Sequence, residues 1–129
     1  MNAASRITVP LRALAHSRSG DKGNRSNLSV IAYDPRTWDT LLDQVTEARV
    51  GALFAARRPT AVTRYLLPRL HAMNFVLDDI LDGGVNGSLN LDAHGKTLSS
   101  LLLTLPLVLD AAWARELHIR PHPLPGELP

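Results

Sequence analysis

Residues 38–53 constrain the fold of this chain most strongly. Trp38, Leu41, Leu42, Val45, Ala48, Ala52 and Leu53 recur at helical spacing, and that spacing lines one side of a helix with apolar groups. Asp34-Pro35-Arg36-Thr37 precedes the run; Asp34 suits an N-cap and Pro35 the first helical position. Gly51 weakens the middle of the pattern. Thr46 can cap a second helix, so a kink or break is expected near it. Pro59 stops the run.

The flanks follow a different period. Leu28, Val30, Ile31 and Tyr33 suit a buried strand, and residues 61–70 and 72–81 read as two more. Residues 6–16 read as a single N-terminal strand. Pro10 puts that strand at an edge or a bulge, and Pro68 does the same for 61–70. Asn86-Gly87, inside DGGVNG at 82–87, is a good turn pair, and residues 88–91 can pair briefly. Residues 92–96 turn into a second helix at 97–104, with Leu98, Leu101 and Leu102 facing inward. LPLVL at 105–109 is a last strand, and 110–118 form a helical turn. The tail from 119 holds Pro121, Pro123, Pro125 and Pro129, four of nine prolines, so it is expected to be extended and solvated or laid on a partner.

The order is strand, strand, helix, strand, strand, helix, strand. Without its first strand this is β-α-β-β-α-β, a ferredoxin-like α+β sandwich with an extra N-terminal strand. Residues 1–110 form the domain; 111–129 form a short helix and a proline-rich tail. Two helices cover one side of an antiparallel sheet, and the other side needs a partner, the tail or water.

The chain has 129 residues, enough for one domain with its own core. No stretch approaches the ~20 apolar residues of a membrane span. The N-terminus lacks the apolar core of a signal peptide, and there is no cysteine, so no disulfide or thiolate site. A cytoplasmic location is expected. Net charge is +2, aromatics are 5%, and the basic residues are dispersed. This argues against a nucleic-acid binder, which shows a basic face or stacking aromatics.

Between LRALA and LSVIAY lies SRSGDKGNRSN, residues 17–27. Ordinary hairpins use about two to five connecting residues, so this stretch reads as an extended polar loop. One reading is a surface loop made of turn-forming residues. The other is an anion-binding nest. In it, Gly20 and Gly23 turn backbone N–H groups toward one point, and Arg18, Lys22 and Arg25 add positive charge. Ser17, Ser19, Asn24 and Asn27 add neutral donors, and Asp21 orients Lys22 or accepts a substrate hydroxyl. Neither G-x-x-x-x-G-K-[ST] nor G-x-G-x-x-G occurs. Both lysines, Lys22 and Lys96, sit in glycine-marked segments, and a lysine pKa shifts readily on burial where that of arginine does not.

Other groupings are weaker. Of five histidines, His118 and His122 are separated by Pro121, which opposes a regular helical pair; His16, His71 and His94 are scattered. No metal and no cofactor is expected. Asp78, Asp79 and Asp82 could share a proton, but adjacent strand residues face opposite ways, and a solvated strand end is the simpler reading. Asn74, in a strand, either satisfies the neighbouring loop or contacts a ligand; Phe75 reads as core. Without cysteine or G-x-S-x-G nucleophilic catalysis has little support.

Taken together, SGDKGNRSN before an apolar strand, LHAMNFVL leading to Gly83-Gly84-Val85, and SLNLDAHGK at 88–96 resemble the small ferredoxin-like domain of the acyclic terpene utilisation A (AtuA) family. The resemblance covers roughly residues 9–109. It places motif residues on Ser19, Gly20, Asp21, Lys22, Gly23, Asn27, Asn74, Phe75, Gly83, Gly84, Asp92, Gly95 and Lys96. The family often has Asp where this chain has Asn24, which removes a charge. That domain occurs at the end of longer proteins and as a separate chain. The family is linked to breakdown of branched acyclic terpenoids and related acids through acyl-CoA thioesters.

The resemblance implies a small subunit or accessory domain of an acid- or acyl-CoA-transforming enzyme. Its partner is a larger AtuA-like subunit or a second copy in a homodimer, and its ligand an anionic small molecule or CoA thioester. Ligand-binding candidates are Ser17, Arg18, Ser19, Gly20, Gly23, Asn24, Asn27, Asn74, Gly83, Gly84 and Lys96; catalytic candidates are Asp21 and Lys22. Two alternatives stand beside this: a self-sufficient hydratase or lyase in which Asp21 and Lys22 transfer protons, and a non-catalytic dimerisation module.

Overall fold

The computed structural model describes residues 5–80 and 98–119. The predictions at Asp82, Gly83, Gly84, Asn86-Gly87, 88–91, Asp92, His94, Gly95, Lys96, His122 and the proline tail lie outside them. The expected α+β, ferredoxin-like class is what the structure shows.

The N-terminal segment departs from the single strand expected over 6–16. β1 (Arg6–Pro10) stops where Pro10 stands opposite Pro106, and it pairs antiparallel with β7 (Pro106–Asp110). Neither proline can donate to a ladder. A 3-10 turn at Leu11–Ala13 then carries the chain to the second sheet as β2 (Ala15–His16). The Leu11 and Arg12 amides donate to the carbonyls of Leu105 (2.8 Å) and Leu103 (3.0 Å), which continues the β1–β7 contact into the turn.

The second sheet is wholly antiparallel. β4 (Arg25–Ala32) lies at its centre, next to β6 (Ala72–Asp78), which is followed by β5 (Ala61–Leu67) at one edge. On the other side of β4 run β2 and β3 (Ser19–Lys22). Their registers against β4 are continuous across Ser17 and Arg18, so β2 and β3 act as one long edge strand. This strand fills the place beside β4, and β7 pairs with β1 instead.

The helical region forms as its caps dictate. Asp34 accepts the Arg36 amide at 2.9 Å, and Pro35–Thr37 is a 3-10 turn leading into α1 (Trp38–Gln44). The break expected near Thr46 is present: Thr46 Oγ1 accepts the Arg49 amide at 3.2 Å and starts α2 (Glu47–Leu53). Residues 98–102 are helical (α3). Asp110 caps α4 (Ala111–Glu116) by accepting the Trp113 amide at 2.9 Å.

One core joins these layers. Leu28, Val30, Phe75 and Leu77 from the sheet meet Leu41, Val45, Val50, Phe54, Leu98 and Leu102, with Val9, Leu107 and Leu109 from the smaller sheet. Polar side chains lock the seams. The Gln44 amide donates to Val108 O (2.7 Å) and accepts from Val108 N (2.8 Å), as a neighbouring strand would. Arg64 reaches from β5 to the end of α1, donating to Leu42 O (2.9 Å) and Val45 O (2.7 Å). Those carbonyls have no partner within the helix.

Candidate functional site

The stretch at 17–27 is not a long loop. β3 and β4 form a tight hairpin in which Ser19 faces Leu28, Gly20 faces Asn27, Asp21 faces Ser26 and Lys22 faces Arg25. Gly23 and Asn24 alone make the turn. Gly23 has φ +63°, and glycine at the first central position fits a two-residue hairpin. The polar residues were misread as a connection because their strand lies at an edge, where one long side is solvated and apolar alternation is not required.

This geometry corrects the nest. Amides along a strand alternate between the ladder and the free edge, so those of 19–22 do not converge on one point. It also divides the candidate residues. Side chains of directly opposed residues share a face. Leu28 and Ser26 are buried against the helical layer, so Ser17, Ser19 and Asp21 face that side. Arg18, Gly20 and Lys22 face the opposite, open side, as do Asn27 and Asn74, and Asn24 lies in the turn.

The helix-side group is incomplete. Among the described residues, Ser17 Oγ and Asp21 Oδ1 are buried with no hydrogen-bond partner. The Ser26 hydroxyl donates to Gly20 O at 3.3 Å, so it does not serve Asp21. A buried polar atom without a partner is uncommon and costs about 1–3 kcal/mol.

The open-side group is cationic. Arg18 and Lys22 have no salt-bridge partner among the described residues. Gly20 lies between them, opposite Asn27. A Cβ at position 20 would stand 3.2 Å from Asn27 Oδ1, tighter than ordinary packing. Arg18 and Lys22 are roughly 13 Å apart along the strand at ~3.3 Å per residue, within reach of one anion held over Gly20. Arg25, across from Lys22, is instead paired with Asp78.

Asp21 and Lys22, the two catalytic candidates, therefore point to opposite faces. They do not form an acid–base pair on one substrate atom. Asp78 and Asp79 are likewise engaged apart, Asp78 with Arg25 and Asp79 as acceptor from Thr60 Oγ1 at 2.6 Å. His16 stacks on Tyr33, with ring centroids 5.4 Å apart, and His71 sits edge-on to Trp38 at 6.1 Å. Among the described residues no three His, Asp or Glu side chains gather as metal ligands, and no helix is long and apolar enough to cross a membrane.

Around Asn74 the open face carries features that strand reading missed. Arg18, Ser29, Asn74 and Tyr65 form one row across the four strands; Asn27, Val76 and Thr63 flank it on one side, and His16, Ile31, Ala72 and Leu67 on the other. Ser29 is held to the edge strand, its Oγ accepting the Arg18 amide at 2.9 Å. A shallow cleft of about 530 Å³ lies over Ser29, Ile31, Tyr65, Leu67, Ala72 and Asn74, with Leu70 as a wall. Tyr65 and Leu67 alternate with Arg64 and Leu66. That alternation is the signal by which a second, outward apolar face could have been found.

Comparison with curated proteins and with solved structures gave no match. The family model described as the AtuA ferredoxin-like domain matches residues 9–108, an interval that runs from β1 through α1, α2 and α3 into β7 and includes the whole β3–β4 hairpin. The chain belongs to the AtuA ferredoxin-like domain family.

Proposed function

We propose that this domain is a small subunit or accessory domain of an acid- or acyl-CoA-transforming enzyme in the catabolism of branched or terpenoid acids. In this reading it presents the β3–β4 hairpin to a larger AtuA-like subunit. Arg18 and Lys22, rather than converging backbone amides, hold the carboxylate or phosphate of the substrate beside Gly20 and Asn27. Asp21 faces the other way and serves the partner or a substrate hydroxyl.

The observation that carries this reading is the pair of buried atoms without a partner among the described residues, Ser17 Oγ and Asp21 Oδ1, on an edge strand of a domain from this family. Edge strands are where another chain can add contacts. A polar site left short of partners in the isolated domain is the arrangement expected where another molecule completes it.

The test is co-expression with the larger AtuA-family subunit from the same host, followed by co-purification and assay on unsaturated branched acyl-CoA thioesters. The complex is expected to be active and the isolated chain inactive. Arg18→Ala and Lys22→Ala should raise KM about tenfold each, the loss of a charge-assisted contact. Asp21→Ala should break co-purification or lower kcat. A chain that never associates, or variants indistinguishable from wild type, would remove the proposal.

A further inference from the structure

We infer that the open face of the four-stranded sheet is a docking surface for a second copy of this chain. Four large side chains stand on it or at its margin: Tyr65 is 55% exposed, Leu67 46%, Leu70 67% and Tyr33 64%. Together they present on the order of 400 Å² of mainly apolar surface, given the ~150–250 Å² that an aromatic side chain can bury. A stable dimer buries about 800 Å² per partner, of which somewhat more than half is apolar. The patch matches that apolar share.

The cleft does not suit a small molecule on its own. Its lining is mostly strand residues of β4, β5 and β6, with Leu70 from the turn after β5. A small ligand needs about 70–90% of its surface covered, and a shallow open cleft does not supply that. A second flat face does.

Charge placement selects a like copy as the occupant. The centre of the face carries the uncharged Asn74, Ser29 and Tyr65; with a two-fold axis along β6, the Asn74 amide, which both donates and accepts, meets its own equivalent, and the Tyr65 hydroxyl of each copy meets Ser29 Oγ of the other, which can still accept although its hydrogen goes to Arg18 O. Among the described residues no unpaired charge lies there. Arg18 and Lys22 are on the β3 edge, and Asp78 is neutralised by Arg25. This is an apolar, uncharged centre with a charged rim. That axis, running along β6 between the two faces, sets the β3 edges on opposite flanks of the dimer, each one strand beyond the β5 edge of the other copy. The two cationic edges then avoid one another, and both hairpins remain free for the role proposed above, on which this inference does not depend.

The experiment uses the full chain alone. Light scattering after size exclusion, from about 1 µM to about 300 µM, should give a dimer mass, with a melting temperature that rises with concentration. Leu67→Asp should raise the dimer dissociation constant about 100-fold or more, as loss of a central contact does. Leu66→Asp is the control: Leu66 is the next residue, is 43% exposed and faces the other side of the sheet. It should leave the dimer intact. Circular dichroism establishes that both variants are folded. A wild-type monomer throughout the series overturns the inference, and so does a dimer that survives Leu67→Asp. A face that binds only the larger subunit would register as the first of these.

Discussion

Phe75 and Asn74 are neighbours in β6, yet they belong to different environments. Phe75 is fully buried against the helical layer; Asn74 looks out over the open face beside Tyr65 and Ser29. The same division runs through the edge strand, where Ser17, Ser19 and Asp21 face the helices while Arg18, Gly20 and Lys22 face outward. Helix-side positions are set by packing, with two polar atoms left unpaired. Open-side positions are set by chemistry that the monomer does not use. A strand carries two patterns at once, and a functional residue's partners are those of its own parity rather than its neighbours in sequence.

The largest way to break the comparison is Phe75→Ala. A fully buried aromatic removed from a close-packed core costs about 3–5 kcal/mol. Asn74→Ala, one residue away, should change the stability of the monomer by less than about 0.5 kcal/mol, as for surface sites. Urea unfolding at low protein concentration measures both. Comparable losses at the two positions would show that the faces are not distinct.

Arg64→Met comes next. It retains the stem that crosses to the helical layer and deletes the guanidinium that donates to Leu42 O and Val45 O. The expected loss is about 1–3 kcal/mol, the range for a hydrogen bond to a charged donor, read as a lower urea midpoint at an unchanged slope. No loss would mean that water satisfies the end of α1 equally well.

Ser17→Ala tests the unpartnered atoms. Deleting an oxygen that has no partner should leave the isolated domain unchanged or stabilise it by up to about 1 kcal/mol. In complex with the larger subunit the same change should weaken association. Opposite signs in the two states would mark Ser17 as a contact completed by another chain. Destabilisation of the isolated domain would show that the hydroxyl already has a partner.

How far the sequence told this in advance depended on parity and on sheet position. The break at Thr46, the Asp34 turn, β4, β6 and β7 were legible because apolar spacing and capping residues are local signals. The split of the N-terminal strand into β1 and β2 was not. It depends on Pro10 meeting Pro106, a pairing between distant residues. The hairpin at 17–27 was hidden because an edge strand of Ser, Gly, Asp and Lys has loop composition. Asp21 and Lys22 looked like one catalytic pair for the same reason: adjacency in sequence suggests proximity, whereas a pleated strand points neighbours apart. Gln44, Arg49 and Arg64 carry no local pattern that marks what they hold. Each donates to a backbone carbonyl far away in the sequence, as Arg49 does at Pro106 O (2.6 Å).

The smallest expected effect lies where the chain leaves β4 for the helical layer. Asp34 accepts hydrogen bonds from the Arg36 side chain and amide, which hold its carboxyl below the usual aspartate range; Arg36 is raised in turn by Asp34. A carboxyl whose folded pKa is depressed binds its proton less readily in the folded state than in the unfolded state. Its contribution is therefore complete above the ordinary aspartate value and fades as pH falls through the depressed one. Arg36 is exposed and Asp34 partly so, and solvent screening keeps the effect small. Asp34→Asn keeps a good N-cap while removing the titration. Urea midpoints taken between about pH 6 and pH 2 should fall slightly less steeply for this variant than for wild type. Since Asp34 belongs to neither face, the difference should be the same in monomer and dimer. A difference that grows with protein concentration would place the turn inside the interface and move the edge of the docking surface past Tyr33.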